Sequence, residues 1–290
     1  MTALVSTAPV TTALITADAL AAELAGGARL VVLDVQYNLR GPAGRGLFEQ
    51  AHVPGAHFID LDTELAGPVA ADGRGGRHPL PRPDVLEAAL RRAGVDDASR
   101  IVTYDQGTSL SAARAWWVLR WAGLQDVRVL DGGLAAWTRA GHTATTEPTP
   151  ETAGTVTLRP HALPVLDADG IAHRPATAVL IDGRAPERFR GETEPIDRVA
   201  GHIPGAVNVP MDTLLRPDGR MRPPAALRAV FEAAGVVPGE NRIVATSCGS
   251  GVTAAHTALA LHEIGVAAHV YVGSWSDWIS DPTRPMATGS

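Results

Sequence analysis

The stretch Ile243-Val-Ala-Thr-Ser-Cys248-Gly-Ser-Gly-Val-Thr253 contains the only cysteine of the chain. Its apolar, partly β-branched start predicts a buried strand, and Val252 to Ile264 predict a helix that ends at Gly265. Cys248 is therefore expected in the loop between this strand and this helix. Two glycines let the loop turn tightly, and no proline from 249 to 253 removes an amide N–H from it.

A loop of this kind is a binding site for an anion. Its free amide N–H groups and the positive end of the helix dipole favour a negative charge, so they favour the thiolate of Cys248 over the thiol. The thiolate is the nucleophilic form of cysteine. A lone cysteine can also be a small buried hydrophobic residue, but the order of strand, glycine loop and helix favours the nucleophile.

The composition excludes several classes of function. The chain has 290 residues and a net charge of −6, which suits two globular domains and gives no reason to expect a nucleic-acid partner. One cysteine excludes an internal disulfide and a multi-cysteine metal site, and we expect neither a metal nor another cofactor. All 25 basic residues are arginines, which excludes a lysine Schiff base.

The same composition bears on location. The first 14 residues are apolar but lack a positively charged leader region, and no uninterrupted apolar run reaches about 18 residues. We therefore expect a cytoplasmic protein without a membrane partner.

The two halves of the chain repeat the same motifs. His52-Val-Pro-Gly-Ala56 returns as His202-Ile-Pro-Gly-Ala206, and the strand that begins at Ile101 returns at Ile243. Strands alternate with helices in both halves, which predicts an α/β fold of two tandem domains, each a mainly parallel sheet flanked by helices on both faces. Ligands bind beyond the carboxyl ends of the strands in such sheets, and Cys248 falls there.

We place the first domain at residues 1–142, a linker rich in Thr, Pro and Glu at 143–164, and the second domain at 165–290. The offset of 142 between the strands that begin at Ile101 and Ile243 aligns Gln106 with Cys248. The first domain is therefore predicted to keep the loop without a nucleophile. Arg184 is expected to brace the second domain by pairing with Asp182 or Glu187.

These residues identify a family. Tandem domains, a His-(Val/Ile)-Pro-Gly-Ala turn in each, and the string Cys248-Gly-Ser-Gly-Val-Thr-Ala254 resemble the tandem-domain rhodanese-like sulfurtransferases. The loop is closest to the 3-mercaptopyruvate branch, because the thiosulfate branch typically carries basic residues inside it. The resemblance implies that Cys248 takes a sulfane sulfur from 3-mercaptopyruvate as a persulfide and passes it to a thiol or cyanide, with thioredoxin as one acceptor to test.

The resemblance also implies roles for particular residues. Asp62, His78 and Ser250 would form a proton relay beside the catalytic Cys248, and Arg188 and Arg198 would bind the carboxylate and carbonyl of the donor. The remaining loop residues would surround the bound sulfur: Gly249, Gly251, Val252 and Thr253.

Three other functions fit parts of the sequence. A thiosulfate:cyanide sulfurtransferase uses the same cysteine chemistry with another donor. A non-catalytic sulfur carrier would keep the fold, although it would not need the cysteine that the second domain retains. A cysteine-dependent phosphatase also holds a thiolate in an anion loop, but it requires Cys-x5-Arg, and the residue six positions after Cys248 is Ala254.

Overall fold

The structure, a computed structural model, describes residues 12–27 and 29–290. The first eleven residues, on which part of the predicted location rests, lie outside this range. The first half contains five strands and five helices within the described residues: β1 (Leu14–Ile15), α1 (Ala17–Ala25), β2 (Leu30–Asp34), α2 (Gly44–Gln50), β3 (His57–Phe58), α3 (Pro83–Arg92), β4 (Arg100–Tyr104), α4 (Leu110–Trp121), β5 (Val127–Leu130) and α5 (Gly133–Arg139).

The second half repeats this order, with an additional 3₁₀ helix at Met211–Leu214. Its elements are β6 (Val165–Leu166), α6 (Ala168–Ala172), β7 (Val179–Asp182), α7 (Pro186–Phe189), β8 (Ala206–Asn208), α8 (Pro224–Ala233), β9 (Val244–Ser247), α9 (Val252–His262), β10 (Ala268–Tyr271) and α10 (Ser274–Trp278). Residues 143–164 contain no helix or strand. Val156 in this segment is nevertheless fully buried in the core, so the segment packs against the protein.

Each half forms one five-stranded sheet in which every pairing is parallel. The strand orders are β1-β5-β4-β2-β3 and β6-β10-β9-β7-β8, which are equivalent. The predicted α/β fold of two parallel sheets covered by helices is confirmed. In the register, Asp34 of β2 lies opposite Tyr104 of β4, and Asp182 of β7 lies opposite Ser247 of β9. Tyr104 and Ser247 therefore end equivalent central strands.

Helices α4 and α9 pack against each other between the two sheets. Nearly all of their side chains are buried, which explains why apolar residues occur all round both helices rather than on one stripe. The largest apolar cluster continues from one sheet through these helices into the other. Smaller clusters cover the outer face of each sheet. The two domains thus share one core, and the carboxyl ends of β4 and β9 lie next to it.

The histidines of the two Pro-Gly-Ala turns have equivalent surroundings. His52 Nδ1 lies 2.7 Å from the carbonyl oxygen of Phe48, and His202 Nδ1 lies 2.8 Å from that of Phe189. Each imidazole also stacks on the ring of the same phenylalanine, with centroids 3.9 and 3.7 Å apart. Both histidines therefore fix the end of a helix to the turn that follows it.

Candidate active site

Cys248 lies at the carboxyl end of β9, the central strand of the second sheet. We call residues 248–251 the cysteine loop. It ends at Gly251, whose φ is 84°, and a Cβ there would lie 2.3 Å from the carbonyl oxygen of Val272. Conformation and space therefore both require glycine. This turn directs the Gly251 N–H at the Cys248 Sγ, with an N···S distance of 3.1 Å.

Ser274 holds the cysteine from the other side. It is fully buried with φ at 53°, a left-handed conformation that costs a residue with a side chain about 1–2 kcal/mol. Its Oγ accepts the N–H of Cys248 at 3.1 Å and donates to the carbonyl of Tyr271 at 2.8 Å. Sequence reasoning missed Ser274, because a serine gives no signal that its backbone is left-handed.

An open cavity of about 500 Å³ between the domains reaches Cys248. The cysteine is 2% exposed, and it lines this cavity. Val252 and Thr253 line it as well, from the first turn of α9, where a helix leaves its N–H groups unpaired. An anion in the cavity would therefore meet both the sulfur and the helix N-terminus.

Ser250, His78 and Asp62 form a hydrogen-bonded chain from this cavity to the surface. Ser250 Oγ lies 2.8 Å from His78 Nδ1, and His78 Nε2 lies 3.2 Å from Asp62 Oδ1. Ser250 and His78 are buried, whereas the Asp62 side chain is 58% exposed. The structure thus brings together the three residues named for a relay, and their order allows a proton to pass between cavity and solvent.

The electrostatic surroundings keep His78 neutral. Burial, together with the nearby guanidinium groups of Arg114 and Arg77, lowers the pKa of His78 to about 4. Burial and the adjacent Asp60 raise the pKa of Asp62. When Asp62 is ionised it accepts the Nε2–H of His78, so that Nδ1 is free to accept the hydroxyl proton of Ser250. A neutral imidazole in this arrangement can act as a base.

Two guanidinium groups border the cysteine loop. Arg188 forms ion pairs with Glu194 at 2.8 Å and with Asp197 at 3.1 Å, and Arg77 also pairs with Asp197. A Cβ on Gly249 would lie 2.9 Å from Nη2 of Arg77 and 3.5 Å from Nη2 of Arg188. The absence of a side chain at Gly249 therefore leaves room for both arginines beside the nucleophile.

Arg198 lies elsewhere, although the sequence placed it with Arg188. Its guanidinium donates to the carbonyl of Ile279, and it does not line the cavity. Arg77 occupies the position beside Arg188 instead. The available signal for Arg77 was its place in the chain, directly before the relay residue His78.

Arg184 also lines the cavity, where it braces the wall. It pairs with Asp182 at 2.7 Å, both side chains being 1% exposed, and donates to the carbonyl of Gly201 at 2.7 Å. Of the two partners considered from the sequence, Asp182 forms this ion pair. The guanidinium also lies over the ring of Trp275, with its carbon 4.8 Å from the ring centroid.

The first domain has a loop of the same plan, residues 105–109, which we call the first-domain loop. The carboxylate of Asp105 accepts the backbone N–H groups of Gly107, Ser109 and Ser111 at 2.9, 3.0 and 3.0 Å. Burial raises the pKa of Asp105, while these N–H groups oppose the shift. An acidic side chain bound by backbone N–H groups therefore occupies the position that the cysteine sulfur takes in the second domain.

The prediction that Gln106 replaces Cys248 was wrong by one position. Asp105 follows the last residue of β4, as Cys248 follows the last residue of β9. Helix α4 begins five residues after Asp105, and α9 begins four residues after Cys248. The first-domain loop therefore holds one additional residue, and Gln106 bonds the backbone of Tyr37 instead.

No group of three His, Cys, Asp or Glu side chains within residues 12–27 and 29–290 could hold a metal ion. Across the same ranges, none of the helices combines the length and the apolar character needed to span a membrane.

Fold and site define a duplicated α/β protein with a cysteine in an anion-binding loop. Residues 16–140 and 167–281 each match the model of the rhodanese-like domain. The chain belongs to the rhodanese-like family. A curated sulfurtransferase from Escherichia coli is 34% identical and covers 88% of this chain and 91% of its own length. A human sulfurtransferase is 35% identical and covers 90% of this chain and 89% of its own length. The chain is therefore a sulfurtransferase.

Two further relatives cover almost the whole chain. A Mycobacterium tuberculosis protein assigned as a thiosulfate sulfurtransferase, SseB, is 44% identical over 96% of this chain and 97% of its own. A Pseudomonas aeruginosa protein assigned as a 3-mercaptopyruvate sulfurtransferase is 45% identical over 95% of this chain and 98% of its own length. The crystal structure of SseA from Escherichia coli matches with a TM-score of 0.78 and 32% identity, over 91% of this chain and 99% of that one.

Proposed function

We propose that the chain is a 3-mercaptopyruvate sulfurtransferase in which Cys248 carries the sulfur as a persulfide. The relative named for thiosulfate and the relative named for 3-mercaptopyruvate are almost equally identical to this chain, so sequence identity does not select the donor. The observation that carries the proposal is the relay, because Ser250 and His78 line the same cavity as Cys248. A proton relay at this place has a use with one donor and none with the other.

The first half-reaction with mercaptopyruvate needs a proton to move. Attack of the Cys248 thiolate on the donor sulfur forms the S–S bond and breaks the C–S bond, and the electron pair remains on carbon as the pyruvate enolate. The donor thiol has one proton to lose, and the enolate carbon needs one. Ser250 and His78 can carry it, while the Asp62 carboxylate stabilises the charged imidazole. The products are the persulfide anion and pyruvate.

Thiosulfate needs no such step. The same thiolate would take the outer sulfur, and sulfite would leave with the electron pair of the broken S–S bond, without gaining or losing a proton. A thiosulfate enzyme would therefore have no use for a neutral histidine connected to solvent.

The arginines also suit mercaptopyruvate. Arg77 and Arg188 pair with Asp197 and Glu194, so this cluster offers directed N–H donors with little net positive charge. Such donors suit one carboxylate and one keto oxygen better than the concentrated charge of a dianion. We propose that Arg77 and Arg188 orient the donor.

The second half-reaction returns the enzyme to its starting state. A thiolate or cyanide attacks the outer sulfur, breaks the S–S bond and releases the Cys248 thiolate. Once pyruvate has left, the cavity of about 500 Å³ offers space for this acceptor. We propose thioredoxin as an acceptor and the cytoplasm as the location, because thiols are kept reduced there.

The test compares kcat/KM for the two donors, in the wild type and in His78→Asn. We expect mercaptopyruvate to be preferred by at least about tenfold in the wild type. The variant is expected to lose about 10²–10⁴-fold with mercaptopyruvate and less than about threefold with thiosulfate, since only one donor needs the proton. Preference for thiosulfate, or an equal loss with both donors, would overturn the assignment.

A further inference from the structure

Arg114 of α4 is a charged side chain buried between the two domains. It is 0% exposed, and its Nη2 donates to the carbonyls of Leu65, His78 and Pro79 at 3.2, 2.9 and 3.2 Å. Its Nε and Nη1 have no hydrogen-bond partner among the residues that the structure describes. A buried guanidinium with free N–H groups is costly unless a negative charge lies close to it.

The unpaired Nη1 faces the cysteine loop. A Cβ on Gly251 would lie 3.3 Å from it, and the N–H of Gly251 is the group that donates to the Cys248 Sγ. Burial lowers the pKa of Arg114 to about 10, and Cys248 is the acidic group that opposes this shift. Arg114 therefore lies within the electrostatic reach of the sulfur and, unlike Arg77 and Arg188, does not line the cavity.

The other arginines near the sulfur already have acidic partners. Arg77 and Arg188 pair with Asp197 and Glu194, and Arg184 pairs with Asp182. The carboxylates of Glu187 and Asp212 also line the cavity, and the nearby His78 is neutral at pH 7 because its pKa is lowered to about 4. Within the described residues, Arg114 donates to backbone carbonyls and forms no ion pair with an acidic side chain, which leaves its charge available to the Cys248 sulfur.

We propose that Arg114 is the counter-cation of the Cys248 thiolate and of the persulfide, supplied by the first domain to the second. It acts as a positioning residue, because it stabilises the charge without lining the cavity. The loaded and unloaded enzymes carry the same charge, so one fixed cation serves both states. This inference rests on the proposed function only in taking Cys248 as the nucleophile.

The equivalent position in α9 gives an internal comparison. Arg114 is the fifth residue of α4, and His256 is the fifth residue of α9. His256 lies near the Thr108 backbone in the first-domain loop, and burial lowers its pKa to about 4. A neutral residue therefore faces the loop that already holds a carboxylate, and a cation faces the loop that holds the thiol.

The test measures the rate at which iodoacetamide alkylates Cys248 as a function of pH, followed by intact mass and without any sulfur donor. Arg114→Gln keeps an amide for the carbonyls and removes the charge. We expect its pH midpoint to rise, the rate at pH 6 to fall about tenfold or more, and the rate at pH 10 to stay unchanged. Arg114→Lys, which keeps the charge, and Arg120→Gln on the same helix are expected to stay within about threefold of the wild type.

A wild-type pH profile in Arg114→Gln would overturn the proposal. So would a lysine variant that behaves like the glutamine variant, because the carbonyl contacts rather than the charge would then be responsible. Should Arg114→Gln fail to fold, Arg114→His measured above pH 8 replaces it, since α9 already carries a histidine at this position. Alkylation needs no donor, so an error in the donor or in the persulfide step leaves this result readable.

Discussion

The cysteine loop and the first-domain loop have the same backbone plan and hold different acidic side chains. Each follows the central strand of a parallel sheet and leads into a buried helix, and in each the residue before the helix is left-handed, Ser109 in one and Gly251 in the other. Asp105 fills its loop with a carboxylate that is bound by backbone N–H groups. Cys248 offers a sulfur that opens to a cavity.

The difference separates what the fold requires from what the reaction requires. An acidic side chain after the strand end accepts backbone N–H groups in both domains, so it belongs to the architecture. The cavity, the relay and the two arginines at its edge occur at the second loop. The first domain contributes three of the groups there, Asp62, His78 and Arg77, so the chemistry of the second loop depends on both domains.

The largest expected effect on activity comes from replacing the sulfur that the cysteine loop holds. Cys248→Ser removes the nucleophile, and we expect sulfur transfer to fall by at least about 10⁴-fold and the protein to gain no sulfur after exposure to mercaptopyruvate. Steady-state rates and intact mass measure this. A serine variant that still accepts one sulfur atom would place the carrier elsewhere.

The matched control for this exchange is Asp105→Asn. It replaces a buried carboxylate bound by N–H groups with an amide, so we expect it to lower the free energy of unfolding by about 3 kcal/mol. The turnover of the folded variant is expected to stay within a few-fold of the wild type. A large loss of turnover without a loss of stability would show that the first-domain loop takes part in the chemistry.

A second comparison uses the buried histidine of α9 and the pH dependence of stability. The unfolded histidine binds a proton near pH 6.5, whereas His256 in the native state binds one only near pH 4. The unfolded state therefore binds more protons between these values, and this contribution to stability is lost as the pH falls. Between pH 7 and pH 5 the wild type should lose about 2 kcal/mol more than His256→Gln.

Urea unfolding at pH 7, 6 and 5 measures this difference. Comparing the two proteins removes the opposite contribution of Asp34, whose pKa is raised to about 6 by burial. Parallel pH profiles for the two proteins would mean that His256 does not stay neutral in the folded state.

The smallest effect concerns the backbone beside each loop. Ser274 has φ at 53°, and Gly133 follows β5 at the corresponding place with φ at 56°. Ser274→Gly and Ser274→Ala both lose the hydroxyl, but glycine also relieves the left-handed strain. We expect the glycine variant to be more stable than the alanine variant by about 1–2 kcal/mol, as judged by thermal unfolding. The reverse order would show that the strain is not present in solution.

The sequence was sufficient for the fold because the motifs recur. Repeated turns and alternating strands and helices specify two covered parallel sheets. The location of Cys248 followed from the same pattern, since a strand, a glycine loop and a helix occur in a fixed order.

The details that sequence reasoning missed depend on side-chain direction and on single-residue shifts in register. The sequence aligned the strand at Ile101 with Ile243, whereas the sheet register makes Ile101 equivalent to Val244, so Gln106 was chosen over Asp105. The segment from 191 to 200 has no periodicity from which to tell that Arg198 faces Ile279. Ser274 and Arg114 gave no signal, because left-handed backbone and unpaired buried donors become visible only in three dimensions.

The shared core through α4 and α9 has a consequence for the history of the molecule. His78, Arg77 and Arg114 lie in the first repeat and the cysteine lies in the second, so a gene fragment encoding residues 165–290 alone would express the thiol without these groups and with the α4-facing side of α9 exposed. Splitting the gene between its two repeats would therefore abolish the enzyme activity, which is a physical reason for both repeats to be inherited together.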